Sequence, residues 1–119
     1  MAISNKRRVA VASAMLRADD YWTDTFAELG LNDLNYSDLF FQMWLHAGEP
    51  LTKTSLYDFM PGISRRTAVK YVQDLIDREL LIEKYAVEDR RVKYISLSAE
   101  VNRRLEMYLD FAYEQLRKI

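Results

Sequence analysis

Residues 63–97, ISRRTAVKYVQDLIDRELLIEKYAVEDRRVKYISL, contain a change of hydrophobic period that decides the fold. From Ser64 to about Arg78 the apolar residues recur every three or four positions, which is typical of a helix packed on one side. After Leu80 the pattern alternates every second residue, and the charged run of residues 88–91 separates two such segments. We therefore predict a helix followed by a two-stranded antiparallel hairpin.

Helical periodicity also precedes this stretch. Apolar residues at three- and four-residue steps predict an N-terminal arm helix over residues 6–29, which Gly30 would terminate. A second helix is expected to begin after Ser37, as its N-cap, and to end at the Gly-Glu-Pro break of residues 48–50. A short helix is expected after Leu51. These helices would precede the helix that begins at Ser64, which would be the second helix of a helix-turn-helix.

The segment after the hairpin predicts one more helix. Ser98 is its expected N-cap, and residues 99–119 carry apolar side chains on more than one side. The predicted fold class is mainly α (α+β), a winged helix-turn-helix with N- and C-terminal dimerisation helices and a two-stranded wing. We expect a single domain over residues 1–119, with the winged helix-turn-helix over residues 36–98.

The composition excludes several classes of protein. The 119 residues include no cysteine, which excludes disulfides, thiolate metal sites and thiol chemistry. His46 is the only histidine, so we predict no metal site, no cofactor, no catalytic residue and no enzyme. It is interpreted as a helix-end surface residue, with a pH-sensitive role as the alternative. The chain has no apolar run of membrane-spanning length and no signal peptide at its start, so a cytoplasmic protein is expected.

Charge is distributed unevenly, although the formal net charge is −1. Residues 1–49 carry four Lys/Arg against seven Asp/Glu, whereas residues 63–93 carry eight against six. Arg65, Arg66 and Lys70 cluster at the start of a helix, where a purely structural preference would favour acids because cations oppose the helix dipole. We infer a local basic surface that binds nucleic acid, with a solvated basic helix end as the alternative.

The order and spacing of these segments also carry a family resemblance. The matching pieces are GEPLTKTSLYDFM (residues 48–60), GISRRTAVKYVQDLIDRELLIEK (residues 62–84) and EDRRVKYISLS (residues 88–98). With the preceding helices, about the first 100 residues resemble the MarR family of bacterial transcriptional regulators. The resemblance implies a winged helix-turn-helix that binds DNA. The chain departs from the family at Glu79, where glycine is usual, and in having only about 20 residues after the wing in place of two helices.

The resemblance identifies the helix after Ser64 as a recognition helix, whose first residues reach base edges in helix-turn-helix proteins. Arg can bridge guanine O6 and N7, Gln can pair with adenine, and an exposed valine can pack on a thymine methyl. Val69 could equally be a peripheral core residue. The DNA-binding residues predicted on this helix are Ser64, Arg65, Arg66, Thr67, Val69, Lys70 and Gln73.

The tip of the hairpin resembles the Asp-x-Arg wing of the same family. The resemblance implies that Asp89 is wing-stabilising, because it fixes the side chain of Arg91 so that Arg91 can enter the minor groove. Arg90 is expected to lie beside the DNA backbone. A charged turn without DNA contact is the alternative.

The first and last helices carry more apolar residues than one side of a small domain can cover. A helix that is apolar almost all round is usually buried on both sides, so we expect a second copy of the chain to supply the other side. One larger intrachain core is the alternative. The predicted dimerisation residues are Trp22, Phe26, Leu105, Tyr108, Leu109, Ala112 and Leu116.

Three functional hypotheses follow from these inferences. The first is a sequence-specific double-stranded DNA-binding transcriptional regulator, a dimeric repressor that recognises a pseudo-palindromic operator. The second is a winged-helix protein-interaction module that binds another regulator or a replication or conjugation factor. The third adds to the first a small-molecule effector bound between the arms and the winged domain. No membrane partner is expected.

Overall fold

The computed structural model describes residues 2–119, which contain five α-helices and one two-stranded sheet. The chain divides into a helical unit, residues 2–32 with 103–119, and a winged unit, residues 33–102. The elements in chain order are α1 (Asn5–Phe26), a 3₁₀ turn (Ala27–Leu29), α2 (Leu34–Leu45), α3 (Lys53–Asp58), α4 (Arg65–Asp77), β1 (Leu81–Tyr85), β2 (Lys93–Leu97) and α5 (Ala99–Arg117).

The sheet of the winged unit is the hairpin that residues 63–97 predict. β1 and β2 pair antiparallel, with Leu81 opposite Leu97 and Glu83 opposite Ile95. The Ile95 N–H donates to the carbonyl of Leu51 at 2.8 Å, so the segment before α3 is attached to β2 as well. A backbone hydrogen bond therefore joins the segment before α3 to the wing, and the predicted winged helix-turn-helix fold is confirmed.

The core of the winged unit determines how α4 is oriented about its axis. Ala68, Val72 and Leu75 recur at steps of four and three residues and are all buried, so the opposite side of α4 is exposed. Buried side chains from α2, α3 and the sheet pack in the same unit. They are Leu39, Phe40, Met43, Leu56, Leu81 and Ile95.

The helix caps agree with the sequence in three places and differ in one. Ser64 accepts from the Thr67 N–H at 3.2 Å, Ser98 accepts from the Val101 N–H at 3.1 Å, and Gly30 has the positive φ of +70° that the end of the first helical segment requires. The prediction that Ser37 caps the second helix is wrong. Asp33 caps it by accepting from the Asn35 N–H at 2.8 Å, and Ser37 lies within α2.

Asp33 also has a second partner that is distant in sequence. The hydroxyl of Tyr71 on α4 donates to Asp33 Oδ2 at 3.0 Å, and this bond is the main cause of a raised pKa at Tyr71. The Tyr71 ring also stacks on Tyr36 at 4.9 Å between centroids, with an interplanar angle of 10°. The start of α2 is thus fastened to the middle of α4.

The helical unit has its own aromatic core. Trp22 packs against Phe26 and, edge-on, against Tyr108 of α5, and its indole N–H donates to the Leu31 carbonyl at 3.2 Å. Tyr21 stacks on Phe111 at 4.3 Å between centroids. These contacts hold α1 against the later turns of α5. None of the helices over residues 2–119 combines the length and the hydropathy of a membrane-spanning segment.

The junction between α4 and β1 contains a strained residue. Glu79 has a φ of +60°, the left-handed region that favours glycine. Its N–H donates to the Ile76 carbonyl at 3.0 Å, and the Leu80 N–H donates to the Leu75 carbonyl at 2.9 Å, the hydrogen-bond pair of a Schellman motif. Leu75 and Leu80 are both buried. This turn has a geometry that suits glycine, the residue that is usual here in the family that the sequence resembles, although this chain has Glu79 at the position.

Glu79→Gly is expected to raise the free energy of unfolding by roughly 0.5–1 kcal/mol, because glycine adopts positive φ without steric cost. Chemical denaturation followed by circular dichroism measures the change. Glu79→Ala is the matched control, since it removes the same charge from the end of α4 but keeps a Cβ atom. If the alanine variant were as stable as the glycine variant, the backbone strain would have no measurable cost.

Candidate nucleic-acid interface

The exposed side of α4 carries the cations that the sequence singles out. The helix begins at the Ser64 cap, and its first exposed residues are Arg65 and Arg66, followed one turn later by Lys70. There is no acidic side chain in the first turn of the helix. The N-terminal half of α4 is therefore a positively charged ridge formed by Arg65, Arg66 and Lys70. The ridge is exposed because the opposite side of the helix is buried.

The three cations of the ridge differ in their surroundings. The Arg65 guanidinium lies 5.1 Å from the centroid of the Tyr57 ring and 4.0 Å from Asp58, so α3 holds this side chain from one side. Over residues 2–119, Arg66 and Lys70 have no carboxylate within 4.0 Å. Arg66 and Lys70 are therefore the cations of α4 with the greatest freedom to reach a ligand.

The remaining predicted residues of α4 are divided between exposed and occupied positions. Val69 is 40 % exposed, on the same side as the cations. Thr67 accepts a hydrogen bond from the Ser64 hydroxyl at 3.0 Å, so these two hydroxyls are partners of each other. Gln73 bonds at both ends of its amide, to Asp77 at 2.9 Å and to Lys53 at 3.4 Å. Base pairing by Gln73 would require it to leave these partners.

The wing tip holds the Asp-x-Arg arrangement that the sequence predicts. Asp89 accepts from the Arg91 side chain through both carboxylate oxygens, at 3.1 Å each, and from the Arg91 backbone N–H at 2.9 Å. The Arg91 side chain is 90 % exposed, and Arg90 is exposed beside it. The pair fixes the direction of Arg91 while leaving its outer edge accessible.

The neighbouring acid of the wing is also engaged within the hairpin. The Tyr94 hydroxyl donates to Glu88 at 2.8 Å. Hydrogen bonding to its own backbone and to Tyr94 lowers the pKa of Glu88, and the same contact raises the pKa of Tyr94. Both acids of the tip are thus bonded to wing residues, which leaves Arg90 and the outer edge of Arg91 as its exposed cationic groups.

The structure adds a group of residues that sequence reasoning missed. Lys53, at the start of α3, lies 3.6 Å from Glu83 on β1, and Lys93 on β2 lies 3.7 Å from the other oxygen of Glu83. Arg91 lies in the same groove, which has a volume of about 360 Å³. The strand alternation places Glu83 and Lys93 on one face, but no sequence pattern brings in Lys53 from thirty residues upstream.

His46 lies at the end of a helix, where the sequence places it. His46 follows the last residue of α2, its Nδ1 lies 2.7 Å from Glu49, and its ring stacks on Phe59 at 5.3 Å between centroids. This is a partly exposed helix-end position. Together with Met43, Trp44, Leu51 and other side chains it lines a cavity of about 170 Å³ within the winged unit.

The predicted dimerisation residues lie in the helical unit in two settings. Trp22, Phe26 and Leu105 are buried within the chain itself, so they form the intrachain core and are not available to a partner. Tyr108, Leu109 and Ala112 are partly exposed, and Leu116 is 55 % exposed. The same unit also exposes several apolar side chains that sequence reasoning did not select. They include Val9, Met15, Leu16 and Tyr113.

Comparison with known proteins identifies the fold. No protein-family model and no curated protein matches the sequence. Among solved structures, the chain is similar to the S. aureus MepR–DNA complex, with a TM-score of 0.72 and 15 % identity over 91 % of this chain and 76 % of MepR. It is also similar to the transcriptional regulator Tm0710 from Thermotoga maritima, with a TM-score of 0.62 and 13 % identity over 97 % of this chain and 78 % of that one.

A third similar structure is Bordetella bronchiseptica BpsR, at a TM-score of 0.51 and 17 % identity over 91 % of this chain and 74 % of BpsR, whose DNA binding is regulated by 6-hydroxynicotinic acid. All three are MarR-family transcriptional regulators. The chain therefore has the winged-helix fold that MarR-family regulators share. The structures that it resembles are regulators and not enzymes.

The Asp89–Arg91 pair makes a prediction about pH. The Arg91 side chain and then its backbone N–H lower the pKa of Asp89 below its ordinary value of 3.8. A lowered pKa means that the pair is fully present above the ordinary value and is lost only as the pH falls through the lowered one. Arg91→Ala should raise the pKa of Asp89 towards 3.8, as measured by NMR titration of the carboxyl carbon. Arg90→Ala is the control, and an equal shift in both variants would contradict a specific pair.

Proposed function

We propose that the chain is a sequence-specific double-stranded DNA-binding transcriptional regulator of the MarR type. The observation that carries the proposal is the joint exposure of Arg66 and Lys70 on α4 and of Arg91 on the wing, within one winged unit. The N-terminal half of a recognition helix enters the major groove in helix-turn-helix proteins, and a fixed arginine suits a narrow minor groove. The likeness to MepR in its DNA complex supports the same conclusion.

Within this proposal the residues have different roles. Arg66 and Lys70 would contact base edges or phosphates in the major groove, with Val69 packing beside them. Arg65 is held by Tyr57 and Asp58, which suits a phosphate contact at the rim of the groove. Arg91 would enter the minor groove and Arg90 would lie along the backbone. The small hydroxyls of Ser64 and Thr67 would assist at the helix start.

The active form in this proposal is a homodimer that represses by occupying its operator. The helical unit exposes Leu16 by 65 %, Leu116 by 55 % and Met15 by 60 %, all on α1 or α5. A second copy would bury these side chains and remove them from water. Two recognition helices related by two-fold symmetry would then read half-sites about 34–36 Å apart on a pseudo-palindrome.

Arg66→Ala and Arg91→Ala are each expected to weaken operator binding about tenfold or more, because each removes a charged contact worth roughly 1–3 kcal/mol. The affinity would be measured by fluorescence anisotropy at fixed salt, on a fragment enriched from random DNA by the purified protein. Lys118→Ala, an exposed cation of the helical unit, is the matched control and should bind like the parent. Parent-like affinity in both arginine variants would refute the proposed DNA surface.

Leu116→Glu is expected to convert the dimer into a monomer at micromolar concentration, because the new carboxylate would be buried without a partner in an apolar interface. Light scattering coupled to size exclusion reports the mass directly. Val87→Glu at the wing tip introduces the same charge at a residue that is 99 % exposed, and it should leave the mass unchanged. A Leu116→Glu protein that keeps twice the monomer mass would place the interface elsewhere.

A further inference from the structure

Glu83 on β1 lies at the centre of a group of polar contacts that joins α3, α4 and both strands of the wing. One carboxylate oxygen is 3.6 Å from Lys53 of α3, and the other is 3.7 Å from Lys93 of β2. Lys53 also donates to Gln73 of α4 at 3.4 Å. The Glu83 side chain is only 20 % exposed, so solvent screens these interactions less than it screens a surface pair. A single carboxylate therefore lies between two lysines, each of which has one further neighbour: Gln73 for Lys53 and the Tyr85 ring, 5.1 Å away, for Lys93.

The groove around this carboxylate fits an anion of one particular kind. Among the described residues that line it are the cations Lys53, Lys93 and Arg91 and one acid, Glu83, while the partner of Arg91, Asp89, lies at the wing tip. The groove lies between the start of α3 and the wing and is open to solvent, so it can receive a chain of phosphates that passes through. A DNA backbone that follows the α4 ridge and the Arg91 wing tip would supply such a chain.

We propose that Glu83 is a specificity-determining residue. It keeps Lys53 and Lys93 from non-specific contacts with DNA, and it positions them for backbone phosphates in the specific complex. The inference rests on the proposed DNA-binding function and deepens it. Each lysine ammonium has three N–H donors, so it can keep Glu83 and still donate to a phosphate that enters the groove. Phosphates outside the groove are disfavoured, because a lysine that reached them would have to leave Glu83.

This arrangement affects two kinds of DNA differently. Non-specific binding depends almost entirely on mobile Lys/Arg contacts to phosphates, and Glu83 weakens it by immobilising two lysines. In the specific complex, base contacts by α4 bring the backbone into the groove, where the lysines are already ordered and lose little side-chain entropy. Glu83 therefore widens the ratio between specific and non-specific affinity.

The first experiment removes the charge while preserving the size of the side chain. Glu83→Gln should tighten binding to a mixed-sequence duplex by roughly threefold or more, because it releases Lys53 and Lys93 to contact phosphates of any duplex. Its affinity for an enriched fragment of equal length should rise less, so the specificity ratio falls. Glu79→Gln makes the same charge change at an exposed residue four positions earlier and should leave the ratio unchanged.

The second experiment counts the phosphate contacts. Lys53→Ala and Lys93→Ala should each reduce the slope of log affinity against log salt by about 0.9 on the enriched fragment, because each removes one neutralised phosphate. Lys84→Ala, an exposed lysine on the other face of β1, is the matched control and should keep the parental slope. Thermal unfolding of each variant verifies that it is folded.

The outcomes separate this inference from the proposed function. If the parent protein enriches no fragment from random DNA, the proposed function itself fails. If it enriches a fragment, but Glu83→Gln leaves the specificity ratio unchanged or the two lysine variants keep the parental slope, DNA binding stands and the role of Glu83 is overturned. A fall in the ratio together with reduced slopes in both lysine variants supports the inference.

Discussion

Burial of one stripe of α4 is the constraint on which the rest of the winged unit depends. Ala68, Val72 and Leu75 are almost completely buried, and this fixes the rotation of the helix about its axis. Since successive residues of a helix are about 100° apart, the same rotation determines that Arg66 and Lys70 project outward. The Tyr71–Asp33 hydrogen bond fastens the flank of that stripe to α2. Charge at the surface is thus positioned by packing in the core.

The sequence predicts this arrangement well where a local pattern encodes it. The 3.6-residue period of α4, the alternation of the hairpin and the caps at Ser64 and Ser98 are all properties of short segments, and all are observed. The sequence predicts poorly what depends on distant partners. Ser37 and Asp33 are equally good N-cap residue types, and the observed cap, Asp33, has a tertiary partner, Tyr71, thirty-eight residues away. For the same reason the Gln73–Lys53–Glu83 contacts could not be foreseen.

The structure also shows which apolar residues are accessible to a second copy of the chain. Periodicity marks Phe26, Leu105 and Leu116 as equivalent apolar positions, but burial separates them, because the first two are fully enclosed within one chain and the third is half-exposed. Periodicity indicates that a position faces an apolar environment. It does not indicate whether the same chain or a second copy provides that environment. A surface for a second copy must therefore be sought among the exposed side chains of α1 and α5, where Leu16 and Leu116 lie.

The formal charge of −1 is compatible with DNA binding because of where the acids lie. In the winged unit, Asp58, Asp89 and Glu83 each contact a cation within 4.0 Å, so they orient the basic side chains as well as offsetting their charge. A protein with unrestrained lysines would bind any duplex through its phosphates. Where acids hold the cations in fixed positions, a duplex gains the full contribution of those cations only when its backbone meets them there. Paired charges of this kind lower the affinity for DNA of any sequence and increase the discrimination between DNA sequences.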